Sequence, residues 1–206
     1  VALIRIARLK MAERKATVTR ETKETSVKVE LNIEGKGQSE ITTGIRFFDH
    51  MLSQLAQHGI FDIKLSATGP DQHHVVEDVA ISLGKAFNQA LGDRRGIVRM
   101  AHSVVPMDDA LALVALDIGG RGYTEFEASF NDTSIEKMSA DLIRHFFVSF
   151  SSEAKLNIHA KVLSGVDDHH KAEALFKALA RALDAATRLD ERITGRIPST
   201  KDTIES

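Results

Sequence analysis

Val29-Glu30-Leu31-Asn32-Ile33-Glu34-Gly35-Lys36-Gly37-Gln38-Ser39-Glu40-Ile41 returns 85 residues later as Val114-Ala115-Leu116-Asp117-Ile118-Gly119-Gly120-Arg121-Gly122-Tyr123-Thr124-Glu125-Phe126. Six of the thirteen positions are identical, and Asn/Asp, Lys/Arg, Ser/Thr and Ile/Phe are close substitutes. The correspondence runs on in both directions. His50 recurs as His145 at an offset of 95, because the second half carries an insertion near 131–140. Asp62-Ile63 recurs as Asn157-Ile158, and His73-His74-Val75-Val76-Glu77 as His169-His170-Lys171-Ala172-Glu173 at an offset of 96. Apolar and polar positions repeat together, so the chain is an internal duplication, and one half's fold is the other's.

Periodicity then assigns the elements. Strands are expected at 16–22, 27–34 and 37–42, with Gly35-Lys36-Gly37 as a turn. A helix at 47–58 ends at Gly59, a strand follows at 60–67, and Gly69-Pro70 closes it. Over 74–91 the residues Val76, Val79, Ala80, Leu83, Phe87 and Leu91 fall on one helical face. The second half gives strands at 101–107, 111–118 and 122–130, a helix at 135–152, a strand at 156–163 and a helix at 169–188. The fold class is therefore α+β: two βββαβα halves, each a four-stranded sheet whose apolar face is covered by two helices. The organisation is a leader at 1–11, a first half at 12–95, a second at 96–190 and a polar, aperiodic tail at 191–206.

Composition narrows the function classes. A hydrophobic fraction of 43% over 206 residues supports a real core. A net charge of −2, one tyrosine and no tryptophan argue against a nucleic-acid module, which needs a basic stripe and stacking platforms. No apolar run approaches the roughly 18 residues of a membrane span. Val1–Arg8 is short and basic without a long apolar stretch, so it reads as an appended leader or a disordered arm rather than a signal peptide. The absence of cysteine excludes disulfides and thiolate metal sites and is compatible with the cytoplasm.

The duplicated polar residues carry the chemistry. Glu77 is three residues from His74 and four from His73, and residues at those spacings share a helix face. A histidine and a carboxylate so placed grip one cation. Adjacent histidines point about 100° apart, so the two members of a pair serve different ions. Two metals are expected, each taking one histidine from each pair, with His50 and His145 completing the shells. The donor set is then His50, His73, His74, Glu77, His145, His169, His170 and Glu173. Nitrogen and oxygen ligation suits Mn, Fe, Co, Ni or Zn without choosing among them. An isolated pair would read as an exposed helix start favoured by the macrodipole; its duplication with the upstream histidine removes that reading. His58 reads as a helix-end cap, and His102 and His159 as packing residues.

Phe47-Phe48-Asp49-His50-Met51-Leu52-Ser53-Gln54-Leu55-Ala56-Gln57-His58-Gly59 and Asp168-His169-His170-Lys171-Ala172-Glu173-Ala174-Leu175-Phe176-Lys177-Ala178 resemble the two signatures of the imidazoleglycerol-phosphate dehydratase family. Lys23-Glu24-Thr25, Pro106–Leu111 and Ile197-Pro198-Ser199-Thr200-Lys201 match as well, so the resemblance runs from about residue 12 to 202. It implies a ribosomal protein S5 domain 2-like duplicated fold and a cytoplasmic hydro-lyase of histidine biosynthesis. The implied reaction dehydrates D-erythro-imidazoleglycerol phosphate to imidazole acetol phosphate through a metal-stabilised imidazolate. It also implies two Mn2+ per active site and a homo-oligomer of 24 subunits with sites at subunit contacts. Carried over by position, the eight donors above are the ligands. The substrate phosphate falls to Arg99, Arg121, Lys177, Ser199 and Lys201, with Gln54 nearby and the C-terminal tail contributing to the site. Cationic forks and hydroxyls suit a phosphate dianion. Glu24 contacts the polar part of the substrate, and Glu173 and Glu24 are the catalytic acid–base candidates. Asp108 reads either as an orienting acid or as a turn residue. The chain departs from the family's pattern at Gly69-Pro70-Asp71-Gln72, which is short and places Gln72 where an acid is common. A dinuclear hydrolase would call for more bridging carboxylates, and a metal-storage shell would not need the phosphate set.

Overall fold

A computed structural model of the chain describes residues 14–204; the expected leader at 1–11 lies outside the described residues. The first half runs β1 (Lys15–Glu21), β2 (Ser26–Asn32), β3 (Ser39–Thr42), α1 (Arg46–Gly59), β4 (Asp62–Thr68) and α2 (Gln72–Leu91). The second runs β5 (Met100–Met107), β6 (Ala110–Asp117), β7 (Tyr123–Glu127), β8 (Ser134–Ile135), β9 (Met138–Ser139), α3 (Asp141–Ala154), β10 (Asn157–Ser164) and α4 (Asp168–Thr187). The sheets have the same topology, β1-β2-β4-β3 and β5-β6-β10-β7. In each, two antiparallel pairings are followed by a parallel strand at the edge. The register repeats too: Asn32 lies opposite Asp62, and Asp117 opposite Asn157, so acid and amide exchange places between the halves. Ile33 N donates to Arg14 O, and Ile118 N to Arg99 O, both at 3.1 Å.

Alternation along the strands explains the layering. Val27, Val29 and Leu31 of β2 and Ala112, Val114 and Leu116 of β6 are buried, and their neighbours face outward. α2 covers β1 and β2, α1 lies against β3, α4 covers β5 and β6, and α3 lies against β7. The halves then meet helix to helix, α2 on α3 and α1 on α4. The core between them is aromatic. Phe146 sits 5.0 Å from Phe176 and 5.6 Å from Phe48 between ring centroids, and Phe87 sits 5.9 Å from Phe150. Such pairs add about 0.5–1.5 kcal/mol each beyond the area they bury.

One expected element is corrected. The helix expected over 135–152 begins only at Asp141. Before it, β8 and β9 form a two-residue hairpin with Glu136 and Lys137 in the turn, at φ 45° and 72°. This hairpin is the insertion that breaks the repeat. The tail is tied to the link between the halves: Asp190 N donates to Gly96 O and Gly96 N to Arg196 O, both at 2.8 Å, around a 3-10 turn at Glu191–Ile193. Among the described residues no helix is long and apolar enough to cross a membrane.

Candidate metal centre

Asp71 and Asp167 cap α2 and α4, accepting the backbone N–H of His74 at 3.0 Å and of His170 at 3.1 Å. Each histidine pair therefore occupies the first turn of a long helix. Within each pair the rings are 5.9 and 6.1 Å apart and nearly perpendicular, at 81°. The perpendicular set turns the two members of each pair toward different neighbours.

One member of each pair, His73 and His169, belongs to a triad, and each triad crosses between the halves. His50 of α1 joins His169 and Glu173 of α4: His50 Nε2 is 3.1 Å, and His169 Nε2 3.2 Å, from Glu173 Oε2. His73 and Glu77 of α2 join His145 of α3, whose Nε2 is 3.6 Å from Glu77 Oε1, with the two imidazoles 4.7 Å apart. In each triad the donor atoms lie within 4.8 Å of one another. The crossing follows from packing, since α1 pairs with α4 and α2 with α3. Both triads use the four-residue spacing, His169 to Glu173 and His73 to Glu77.

The residues fit a cation. His145 Nε2 is buried without a hydrogen-bond partner and is aimed at Glu77, and a buried nitrogen left unpaired is costly. Glu173 is buried beside two imidazoles. Burial pushes its carboxyl up, but the Lys177 ammonium and His50 outweigh that and hold it at about 2; Lys177 Nζ sits 2.7 Å from Oε1.

His74 and His170 point away from the triads and are held differently. His74 Nδ1 lies 2.8 Å from Asp71 and its Nε2 3.4 Å from Glu24. His170 Nδ1 lies 2.7 Å from Asp109 and its Nε2 3.4 Å from Asp108. The hydrogen bonds to Asp71 and to Asp109 raise the two imidazole pKa values above the ordinary range. Within one chain His74 and His170 join neither triad.

The phosphate set also divides. Arg99, Arg121, Ser199 and Lys201 line one cavity of about 900 Å³ with Arg196 and Pro198. Arg99 reaches both oxygens of Asp117, at 2.7 and 3.0 Å, and the Pro198 carbonyl at 2.7 Å, so it fastens the tail to β6. Lys177 and Gln54 stand instead at the first triad, where Gln54 bridges His50 Nδ1 at 3.4 Å and His58 Nε2 at 3.1 Å. His58 therefore bonds a side chain rather than capping its helix; Ile60 takes the left-handed position at φ 57°. Gly59 cannot be replaced cheaply there, since a Cβ would lie 2.4 Å from the Phe61 ring. Glu24 is exposed, on a turn where Thr22 Oγ1 accepts its N–H at 3.1 Å. Thr25 anchors that turn to buried Asp78, which Arg20 also reaches at 2.8 Å.

Sequence reasoning missed Asp71, Asp109, Asp117 and Glu136. Asp71 was legible as a capping residue two before a histidine pair. Asp109 occupies Glu24's place in the repeat, at an offset of 85. Asp117 and Glu136 carry no local signal.

A family model described as Imidazoleglycerol-phosphate dehydratase matches residues 43–183. An imidazoleglycerol-phosphate dehydratase of Dehalococcoides mccartyi is 58% identical, over 95% of this chain and all of that protein. One from Methanothermobacter thermautotrophicus is 53% identical, over 91% of this chain and 96% of its own length. Among solved structures, the Staphylococcus aureus imidazoleglycerol-phosphate dehydratase superposes with a TM-score of 0.79 at 31% identity, over 85% of this chain and 99% of its own. The Pyrococcus furiosus enzyme in complex with (S)-C348 also gives 0.79, at 34% identity, over 90% of this chain and 99% of its own. The full-length match, the duplicated fold and the paired His/Glu triads converge: this chain belongs to the imidazoleglycerol-phosphate dehydratase family of hydro-lyases.

Proposed function

We propose that the chain dehydrates D-erythro-imidazoleglycerol phosphate to imidazole acetol phosphate in histidine biosynthesis, with one Mn2+ at each triad. The observation that carries the reading is the crossed pair of triads, one with an orphaned buried imidazole nitrogen, in a chain that also builds an Arg-lined cavity. Nitrogen and carboxylate donors without sulfur suit manganese, and the lack of cysteine accommodates a cytoplasmic location.

The hydroxyl to be expelled sits on the carbon attached to the imidazole, and the proton to be removed sits on the next carbon, which no carbonyl activates. Bound cations would act as Lewis acids toward the ring nitrogens and accept charge developing in the ring. Glu24 is assigned as the base. It is exposed, belongs to neither triad, and is aimed by the Thr22–Thr25 turn. Glu173 is assigned as a ligand, because its oxygens face His50, His169 and Lys177. Arg121, Lys201 and Ser199 would bind the phosphate, while Arg99 holds the tail that carries two of them. Loss of the ring-side hydroxyl, which departs with a proton as water, and of the proton on the next carbon leaves an enol whose oxygen stays on that second carbon; it tautomerises to the acetol ketone.

His74 and His170 present Nε2 atoms while aspartates fix Nδ1, the arrangement of a metal-bound histidine with an orienting carboxylate. We therefore assign each to a triad of a neighbouring copy, in keeping with a homo-oligomer whose sites form between subunits. The direct test is turnover of imidazoleglycerol phosphate after EDTA stripping and after Mn2+ reloading. Activity that vanishes and returns supports the reading; metal binding without turnover at any Mn2+ level overturns it.

A further inference from the structure

The β8–β9 hairpin has no counterpart in the first half, and it reaches both histidine pairs. At its tip, Glu136 Oε1 lies 3.1 Å from His169 Nδ1. Along its second strand, Gln72, the residue before His73, donates Nε2 to the O of the turn residue Lys137 at 2.8 Å and accepts Ser139 N at 3.4 Å through Oε1. Ile135 and Met138 are buried beneath it. Glu136 and Lys137 both hold φ between 45° and 72°, a region that costs a non-glycine residue about 1 kcal/mol or more. A strained turn persists only where its surroundings over-determine it, and here two buried side chains and a glutamine clamp do so.

We propose that Glu136 is a positioning residue for the His50/His169/Glu173 triad. Its carboxylate accepts the Nδ1–H of His169, which selects the tautomer whose bare Nε2 points at Glu173. It also orients the ring and raises its basicity as a donor. The Gln72 clamp fixes the height of the hairpin over α4. The second triad has no such support among the described residues: no carboxylate reaches a ring nitrogen of His73 within hydrogen-bond distance, and His145 Nε2 meets only Glu77, at 3.6 Å. The duplication has therefore produced two unequal cation sites, with the insertion strengthening one.

This inference rests on the metal sites proposed above, and the test separates the two. Mn2+ is titrated into the chelator-stripped protein by calorimetry and by electron paramagnetic resonance, on wild type, Glu136→Gln and Glu136→Gly. Glycine accepts the positive φ without strain, so the second variant deletes the carboxylate and relieves the turn together. Wild type taking up no Mn2+ would sink the metal reading itself. Given two sites in wild type, both variants should weaken one of them by about 10- to 100-fold, leaving the other site and the melting temperature in place. In a His169→Ala background, Glu136→Gly should be silent, since the effect passes through that imidazole. Two unaltered sites, a parallel fall in both, or a full effect without His169 would each overturn the assignment.

Discussion

Glu24 and Glu173 are both carboxylates near imidazoles, yet their surroundings give them different work. Glu173 is buried, held at about 2 and met by Lys177 and two histidines, so it is charged at every working pH and suits a cation better than a proton. Glu24 is exposed, with its carboxylate 3.4 Å from His74 Nε2. Glu24→Gln should lower kcat by about 10²–10⁴-fold with Mn2+ stoichiometry unchanged, whereas Glu173→Gln should lose metal and activity together. Retained metal in the second variant would reverse the roles. Below the site, Asp168 and Lys171 form an ion pair at 2.8 Å with both side chains under a tenth exposed. Burial pushes the Asp168 carboxyl up, but Lys171 and the backbone N–H groups of Asp132 and Asn131 outweigh it and hold its pKa low. Asp168→Asn strands a buried ammonium and should cost about 3 kcal/mol at pH 7 by urea unfolding. A depressed carboxylate pKa stabilises fully above the unfolded value, about 4, and the contribution is lost as pH falls through the folded value. The gap between wild type and variant should therefore close in acid. The donor residues were legible because they are duplicated with their spacing. That the halves share a site was expected, but which residues meet was not, because spacing within a half says nothing about which helix of the other half it faces.

The contact between α2 and α3 shows how packing controls a site several turns away along the same helices. Gly84 of α2 lies against α3. A Cβ there would stand 2.7 Å from Phe150 O, 2.9 Å from Glu153 Cβ and 3.0 Å from Ala154 N, and two of these are backbone atoms that cannot swing aside. Gly84→Ala gains about 1 kcal/mol of helix propensity and loses about 1–3 to overpacking, so a net loss of stability is expected on thermal melting. The same variant should weaken Mn2+ at the second triad, because His73 and Glu77 stand on one side of this contact and His145 on the other, about 10 Å along the helix. A more stable variant with both sites intact would show that the contact yields. Most elements were legible, since strands alternate and helices repeat every three or four residues. The β8–β9 hairpin was not. Ile135 and Met138 pair directly across it and are buried; three residues apart, they continue the helical spacing of Leu142, Ile143 and Phe146. The turn residues Glu136 and Lys137 lack the glycine or asparagine that announces such a turn.

At the scale of the whole molecule, duplication leaves each chain with two incomplete sites and two spare ligands. Each triad offers three donors, fewer than the four to six that such cations take. His74 and His170 are turned about 100° around their helices from the triad histidines, away from the clusters, and are held by Asp71 and Asp109. On the reading proposed above, a chain carrying two such sites and two such ligands would be completed by copies of itself. The outer sheet faces are unequal as well. The first carries Lys28, Glu30 and Lys64 in ion pairs, while the second exposes Met100, Val104 and Tyr123, each about half accessible in a single chain. Apolar side chains grouped in this way favour contact with another surface. If cations join copies, assembly and metal binding are linked, and each must strengthen the other. Light scattering on a sizing column should then show a smaller particle after EDTA treatment and the original mass after Mn2+ is restored. His74→Ala and His170→Ala should remain small even in excess Mn2+, although each retains both triads. A mass that ignores metal in wild type and in both variants would mean that the copies join through the sheet faces alone, with His74 and His170 serving the substrate instead.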